Sequence, residues 1–115
     1  MKNKTYQNIS KQLDEAAKKI MKAKQPEYTN KNEDVLHNFK SSAKMLGLLP
    51  MEVWAVFFHK HVQAILSHAH NPEMHEAEPI QSRYCDAINY LHLGYALTLE
   101  KKSTNGNNKN RIKNS

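Results

Sequence analysis

Residues 79–102, PIQSRYCDAINYLHLGYALTLEKK, decide the fold, because apolar side chains recur there at helical spacing over several turns with proline only at the start. With Asp86 as the zero of a wheel advancing about 100° per residue, Tyr84, Ile88, Leu91, Tyr95 and Leu99 fall on the opposite side. That stripe predicts the packing face of a helix. Leu93 and Leu97 continue the Asp86 side toward the C-terminus, so the helix is expected to bury both faces. On the Asp86 side, Arg83, Asp86, Asn89 and Tyr90 stand at i, i+3, i+6 and i+7. A carboxylate, a guanidinium and an amide would then share a partly enclosed site. An unpaired buried charge is costly, so the same spacing also fits a structural pairing of Arg83 with Asp86 or with a neighbouring helix.

Working outward, the periodicity gives three more helices and no strand. Residues 5–24 place Tyr6, Ile9, Leu13, Ala16 and Ile20 on one stripe, with Lys11, Lys18 and Lys22 outside it. A polar connection containing Pro26 follows. Glu33 and Asp34 then occupy a first turn, where carboxylates favour the helix dipole, and Leu36, Phe39, Ala43 and Leu46 supply the apolar side of the second helix. Gly47 stops it, and Pro50 suits the first turn of a third helix reaching about His70. This third helix is the most apolar, with a stripe of Trp54, Phe57, Phe58, His61, Val62 and Ile65. The expected architecture is an all-α, four-helix domain over residues 1–102. Residues 103–115, STNGNNKNRIKNS, have almost no apolar content and are expected to form a flexible basic tail.

A chain of 115 residues forms one small domain, in which oligomerisation can add stability. Its single cysteine, Cys85, excludes an internal disulfide and a Cys-based zinc cluster and fits a reducing cytoplasm. No secretion-type apolar segment opens the chain and no run approaches a membrane span, so a soluble protein is expected. The net charge of +6 is unevenly placed. Residues 1–24 carry seven basic and two acidic groups, residues 101–115 five basic and none acidic, and the stretch between them is net −4. Positive charge on one helix and a tail supports weak, salt-dependent polyanion contact, and no helix with clustered base-reading side chains points to sequence-specific DNA recognition.

Other chemistries find less footing. On one helix His59 and His61 point about 200° apart, so HKH is not a chelating pair. A zinc site from His61, His68 and His92 needs convergence of two helices, against the simpler reading of His61 as a hydrogen-bonded core residue. Cys85 lacks an activating signature, and the three glycines are too isolated for a phosphate loop. Magnesium chemistry on a phosphoester requires clustered carboxylates, and the acids available are Asp86, Glu33, Asp34, Glu76 and Glu78.

Three segments, NEDVLHNFKSSAKMLGLLP from Asn32, EVWAVFFHKHVQAI from Glu52 and AEPIQSRYCDAINYL from Ala77, together with the KH pair at Lys60 and His61 and R-x-x-D-x-x-N-Y from Arg83 to Tyr90, carry a family likeness. In them the chain resembles small phage-encoded all-α proteins of the nucleotide-modification-associated and MazG-like nucleotide pyrophosphohydrolase group. The resemblance spans residues 32–100. It implies a nucleotide-binding helical fold, commonly dimeric or larger, in which helix-borne acids hold magnesium, and, for a phage protein, action in the host cytoplasm. The group's hydrolases carry paired E-x-x-E and E-x-x-D motifs. Here no expected helix carries the first, and Arg83 stands where a second acid would accompany Asp86.

Three function classes follow. In a binding protein, Lys60 and Arg83 meet phosphate, Asp86 and Asn89 read base or ribose, Tyr90 or Trp54 stacks and His61 belongs to the ligand-binding set, sequestering a nucleotide or a nucleotide-derived immune signal. In a pyrophosphohydrolase, Asp86 with Glu33, Asp34 or Glu78 holds Mg2+. In an inhibitor of a host protein, no pocket is needed.

Overall fold

The computed structural model describes residues 1–29, 33–75 and 78–114, with side chains over 1–26, 33–75 and 78–100. Four helices follow one another, α1 (Asn3–Thr29), α2 (His37–Leu46), α3 (Pro50–His70) and α4 (Ile80–Asn114), with no strand among the described residues. The chain is therefore all-α. None of these helices is long and apolar enough, over the described residues, to cross a membrane.

Local chemistry sets the boundaries of the short elements. Asp34 Oδ1 accepts the Leu36 N–H at 2.9 Å and the Asp34 carbonyl accepts the His37 N–H at 3.0 Å, which opens α2. Gly47 ends it in the left-handed conformation, φ 70°, while the Leu48 N–H returns to the Ala43 carbonyl at 2.9 Å. This Schellman-type closure asks for a residue without a Cβ penalty. Pro50 opens α3, and the Glu52 carboxylate accepts the Leu49 N–H at 2.8 Å, satisfying a donor of the first turn.

Two helices outrun their expected ends. α1 carries Pro26 inside its last turns and continues to Thr29. A proline there removes one hydrogen bond, to the carbonyl four residues back, close to a terminus where little of the ladder remains to be broken. The backbone of α4 is helical to Asn114, beyond the end expected near Lys102. No proline interrupts those residues, and extending a formed helix avoids the nucleation step.

α4 is the hub of the bundle, packing on α3 and on α1, while α2 packs on α3. Its burial overturns the expected packing face. Cys85, Asn89, Tyr90, Leu93 and Leu97 are buried, whereas Tyr84, Leu91, Tyr95 and Leu99 are 44, 53, 67 and 51 % exposed. α4 therefore buries the Asp86 side only. A helix apolar around most of its circumference leaves the choice to the shape of its neighbours. The decisive shape is at Gly94, where the Trp54 indole lies against the α4 backbone.

The core joins Leu36, Phe39, Ala43, Val53, Tyr90, Leu93 and Leu97, flanked by Met21, Trp54 and Phe58. Phe39 and Ala43 hold the places expected of them on α2, but Leu46 at its end is exposed. On α3, Trp54, Phe58, His61, Val62 and Ile65 are half-buried and Phe57 stands out toward solvent. On α1, Ala17 is buried, Leu13, Ala16 and Ile20 are half-buried, and Tyr6 and Ile9 are exposed.

Candidate functional site

The site is built where α1, α3 and α4 meet around Asp86. Its carboxylate is only 12 % exposed, so it needs partners, and both helices facing α4 supply one. Lys24 from α1 brings Nζ to 3.4 Å of Oδ1. His61 from α3 brings Nδ1 to 3.9 Å of Oδ2. The His61 ring also packs on Tyr90, with centroids 4.5 Å apart and planes inclined at 47°. His61 thus joins an aromatic wall to a carboxylate.

The electrostatics of His61 show what surrounds it. Burial, the largest effect, pushes its pKa below the usual imidazole value. The Asp86 carboxylate pulls it back up, and the positive charges of Lys24, Arg83 and Lys60 push it further down. Four basic side chains from three helices therefore share the field of one carboxylate. Arg83 in turn lies 3.9 Å from the Glu78 carboxylate, just ahead of α4. Lys60 is exposed at the rim.

Three residues expected to meet a ligand have partners inside the fold. Asn89 is buried, and its Nδ2 donates to the Ala17 carbonyl of α1 at 2.9 Å. That bond satisfies the buried amide donor of Asn89 and ties α4 to α1. Tyr90 is buried in the core, edge-on to Phe39 at 6.0 Å between centroids. Its ring has no free face for a base. Trp54 stacks on Phe58, centroids 4.9 Å apart and planes at 11°, and donates from Nε1 to the Tyr90 carbonyl at 2.6 Å. A Cβ at Gly94 would overlap Cε2 and Cζ2 of that indole and stand 2.9 Å from Nε1. The tryptophan locks α3 to α4.

The carboxylates assigned to magnesium are dispersed. Asp34 pairs with Lys40, which also bridges to Glu100. Glu100 is fourteen residues beyond Asp86 on α4, roughly 21 Å of helical rise. Glu33, beside Asp34, is exposed. Hydrogen bonding to Lys40 holds the Asp34 carboxyl below its usual range; Lys40 is raised because its two carboxylate partners together outweigh its burial, the largest single effect. These groups form a clamp between α2 and α4. Only Glu78 remains near the site, set against Arg83, whereas a hard cation asks for several oxygen ligands. Glu76 lies outside the described residues.

The histidine trio is also separated. His61 faces Tyr90 on the α3 side, while His92 is exposed beside Asp14, Ala17 and Lys18 on the α1 side. Among the described residues, no three His, Cys, Asp or Glu side chains converge as metal ligands. Cys85 is buried, and burial, followed by the nearby Asp86 charge, pushes its thiol pKa up. A thiol so held is a poor nucleophile.

Lys24 and Gly94 are the members that sequence reasoning passed over. Each left a signal. Lys24 follows Ala17 by seven residues and Ile20 by four, so it is a cation on an apolar stripe. Gly94 interrupts an apolar helix, where a glycine is unfavourable unless something approaches closely.

Comparison of the chain with protein-family models, with curated proteins and with solved structures gives no match. Function is therefore argued from the site itself.

Proposed function

We propose that this chain binds a nucleotide, or a nucleotide-derived small molecule, through its phosphate groups at the rim formed by Lys24, Lys60, His61 and Arg83. The observation that carries the reading is that Lys24 of α1 and His61 of α3 both reach Asp86 on α4, while the charges of Lys60 and Arg83 act on His61. Of these four, Lys60, His61 and Arg83 lie in residues 25–100, a stretch whose own balance is net −4, and Lys24 comes from the basic first helix. A cation surplus gathered from separate helices attracts a multiply charged anion more strongly than scattered surface lysines do. Arg83 offers planar, bidentate donors for phosphate, and Lys24 and Lys60 act as point charges.

Asp86 then has a positioning role. It holds Lys24 and His61 in place and remains available to accept from a ribose hydroxyl. The base lies outside the protein interior, because Asn89 and Tyr90 already have internal partners. Binding without hydrolysis is the favoured form of the proposal, since Asp34 is tied to Lys40 and Glu78 faces Arg83. The function that follows is sequestration of the ligand, consistent with the resemblance to phage-encoded nucleotide proteins.

The test is a thermal-shift screen with mono-, di-, tri- and cyclic nucleotides, with and without Mg2+, followed by chromatography of the recovered ligand. A ligand at a hundredfold excess over its dissociation constant stabilises the fold by about 2.7 kcal/mol. We expect stabilisation with the ligand recovered intact, weakened at least tenfold by Arg83→Ala and reduced by salt. Magnesium-dependent breakdown would replace sequestration with a pyrophosphohydrolase. A flat screen would sink the nucleotide reading and direct attention to a protein partner.

A further inference from the structure

Asn89 ties α4 to α1 with only half of its amide. Nδ2 donates to the Ala17 carbonyl at 2.9 Å, which fixes the orientation of the group. Oδ1 accepts from no group among the described residues, yet it is not sealed in the core, although Asn89 as a whole is only 4 % exposed. Asn89 lies at the bottom of a cleft of about 230 Å³ between α1 and α4, lined by Asp14, Ala17, Lys18, Ile88, Asn89 and His92, and its free oxygen opens there. None of these residues takes part in the phosphate rim. Ile88 and His92 stand about 160° and 120° around α4 from Asp86, so the cleft opens on a different side of that helix.

The walls of the cleft carry both signs of charge. Asp14 and Lys18, one turn apart on α1, are exposed, and the exposed His92 borders the same space from α4. A carboxylate and an ammonium at i and i+4 commonly pair. Here, among the described residues, neither comes within ion-pairing distance of the other or of any further charge. Beneath them the floor is apolar, made by buried Ala17 and half-buried Ile88.

Each simpler ligand leaves one of these groups opposed. A phosphate or another anion meets Asp14, and an amine or a metal ion meets Lys18. A hard cation also asks for more oxygen ligands than Asp14 and Asn89 supply. An apolar molecule would strip water from Asn89 Oδ1 without replacing its hydrogen bond. A molecule with one ammonium and one carboxylate satisfies every group. Its ammonium donates to the Asp14 carboxylate and to Asn89 Oδ1, its carboxylate accepts from Lys18 and from a ring N–H of His92, and its hydrocarbon part rests on Ala17 and Ile88. Volume sets the size: pockets for drug-sized ligands run to about 300–1,000 Å³, so this one suits a single amino acid and not a peptide or a nucleotide.

We propose that the cleft between α1 and α4 binds a free aliphatic α-amino acid, held by Asp14 and Asn89 at its ammonium and by Lys18 and His92 at its carboxylate. The site does not depend on nucleotide binding at the rim.

Heteronuclear NMR of the isotope-labelled full chain, titrated with L-leucine to about 10 mM, tests the proposal. Saturable shifts are expected in the Asn89 side-chain amide and in the backbone amides of Lys18 and Ile88. Isoamylamine, which lacks the carboxylate, and isocaproate, which lacks the ammonium, should each bind at least tenfold more weakly than leucine. Asp14→Asn and Lys18→Gln, at exposed positions, should each weaken leucine binding at least tenfold while leaving the melting temperature unchanged. The absence of a saturable shift with leucine, equal binding of either analogue, or leucine binding that survives both substitutions would overturn the proposal.

Discussion

Replacing Gly94 by alanine tests how α3 is held on α4. On an exposed helical surface the change would stabilise, by about 0.8–1 kcal/mol of helix propensity. Here the added Cβ would overlap Cε2 and Cζ2 of Trp54. The indole could retreat only by breaking its 2.6 Å bond to the Tyr90 carbonyl and leaving its stack on Phe58. Overpacking of this kind costs about 1–3 kcal/mol, and the lost hydrogen bond adds about 0.5–1.5 kcal/mol. Set against the propensity gain, Gly94→Ala should destabilise by roughly 1–3 kcal/mol. For a domain of this size the melting temperature should fall by about 5–20 °C. Thermal and urea unfolding followed by circular dichroism measure the loss, and the fluorescence of Trp54, the single tryptophan, reports the displaced ring. In a Trp54→Phe background the penalty should shrink, because the overlapped ring atoms are gone, and the double-mutant cycle gives the coupling. A Gly94→Ala protein as stable as wild type, or more so, would refute the close approach and with it the account of which α4 face is buried.

Three further outcomes follow from the same geometry. Because the His61 pKa is lowered in the folded state, the unfolded chain takes up a proton first as pH falls; stability should therefore decline below about pH 6.5, and His61→Gln should flatten that part of the pH profile. Asn89→Ala should destabilise by about 0.5–1.5 kcal/mol in urea titrations, since it removes the buried amide's hydrogen bond to the Ala17 carbonyl; an unchanged midpoint would show that the bond contributes nothing net. Cys85 should react slowly with a thiol reagent at pH 7.5 and rapidly once urea unfolds the chain, as its burial and raised pKa require; equal rates in both states would contradict its place in the core.

Much of the fold is legible in the sequence because it depends on local chemistry. Gly47 and Pro50 mark the turn between α2 and α3 through backbone preferences that neighbours scarcely alter. Arg83 and Asp86 could be placed on one side of α4 from spacing alone, and His61 on the inner stripe of α3 likewise. Asn89 and Tyr90 share that side of α4, yet their roles were not readable, because a helical wheel gives direction without depth. Asn89 ends on a main-chain carbonyl of α1 and Tyr90 inside an aromatic cluster, while Asp86, between them in direction, reaches the rim.

The sequence by itself determined an all-α chain, its order of four helices and the apolar character of α3 and α4, since periodicity, proline and glycine act within a few residues. Tertiary structure decided which face of α4 enters the core, that Asp34 joins Lys40 and Glu100 instead of Asp86, and that Lys24 completes the site from a helix sixty-two positions away. The reason is that these outcomes rest on fit between distant surfaces. An indole settles against a glycine that lies forty residues further along the chain, and the resulting helix placement fixes which charges can meet.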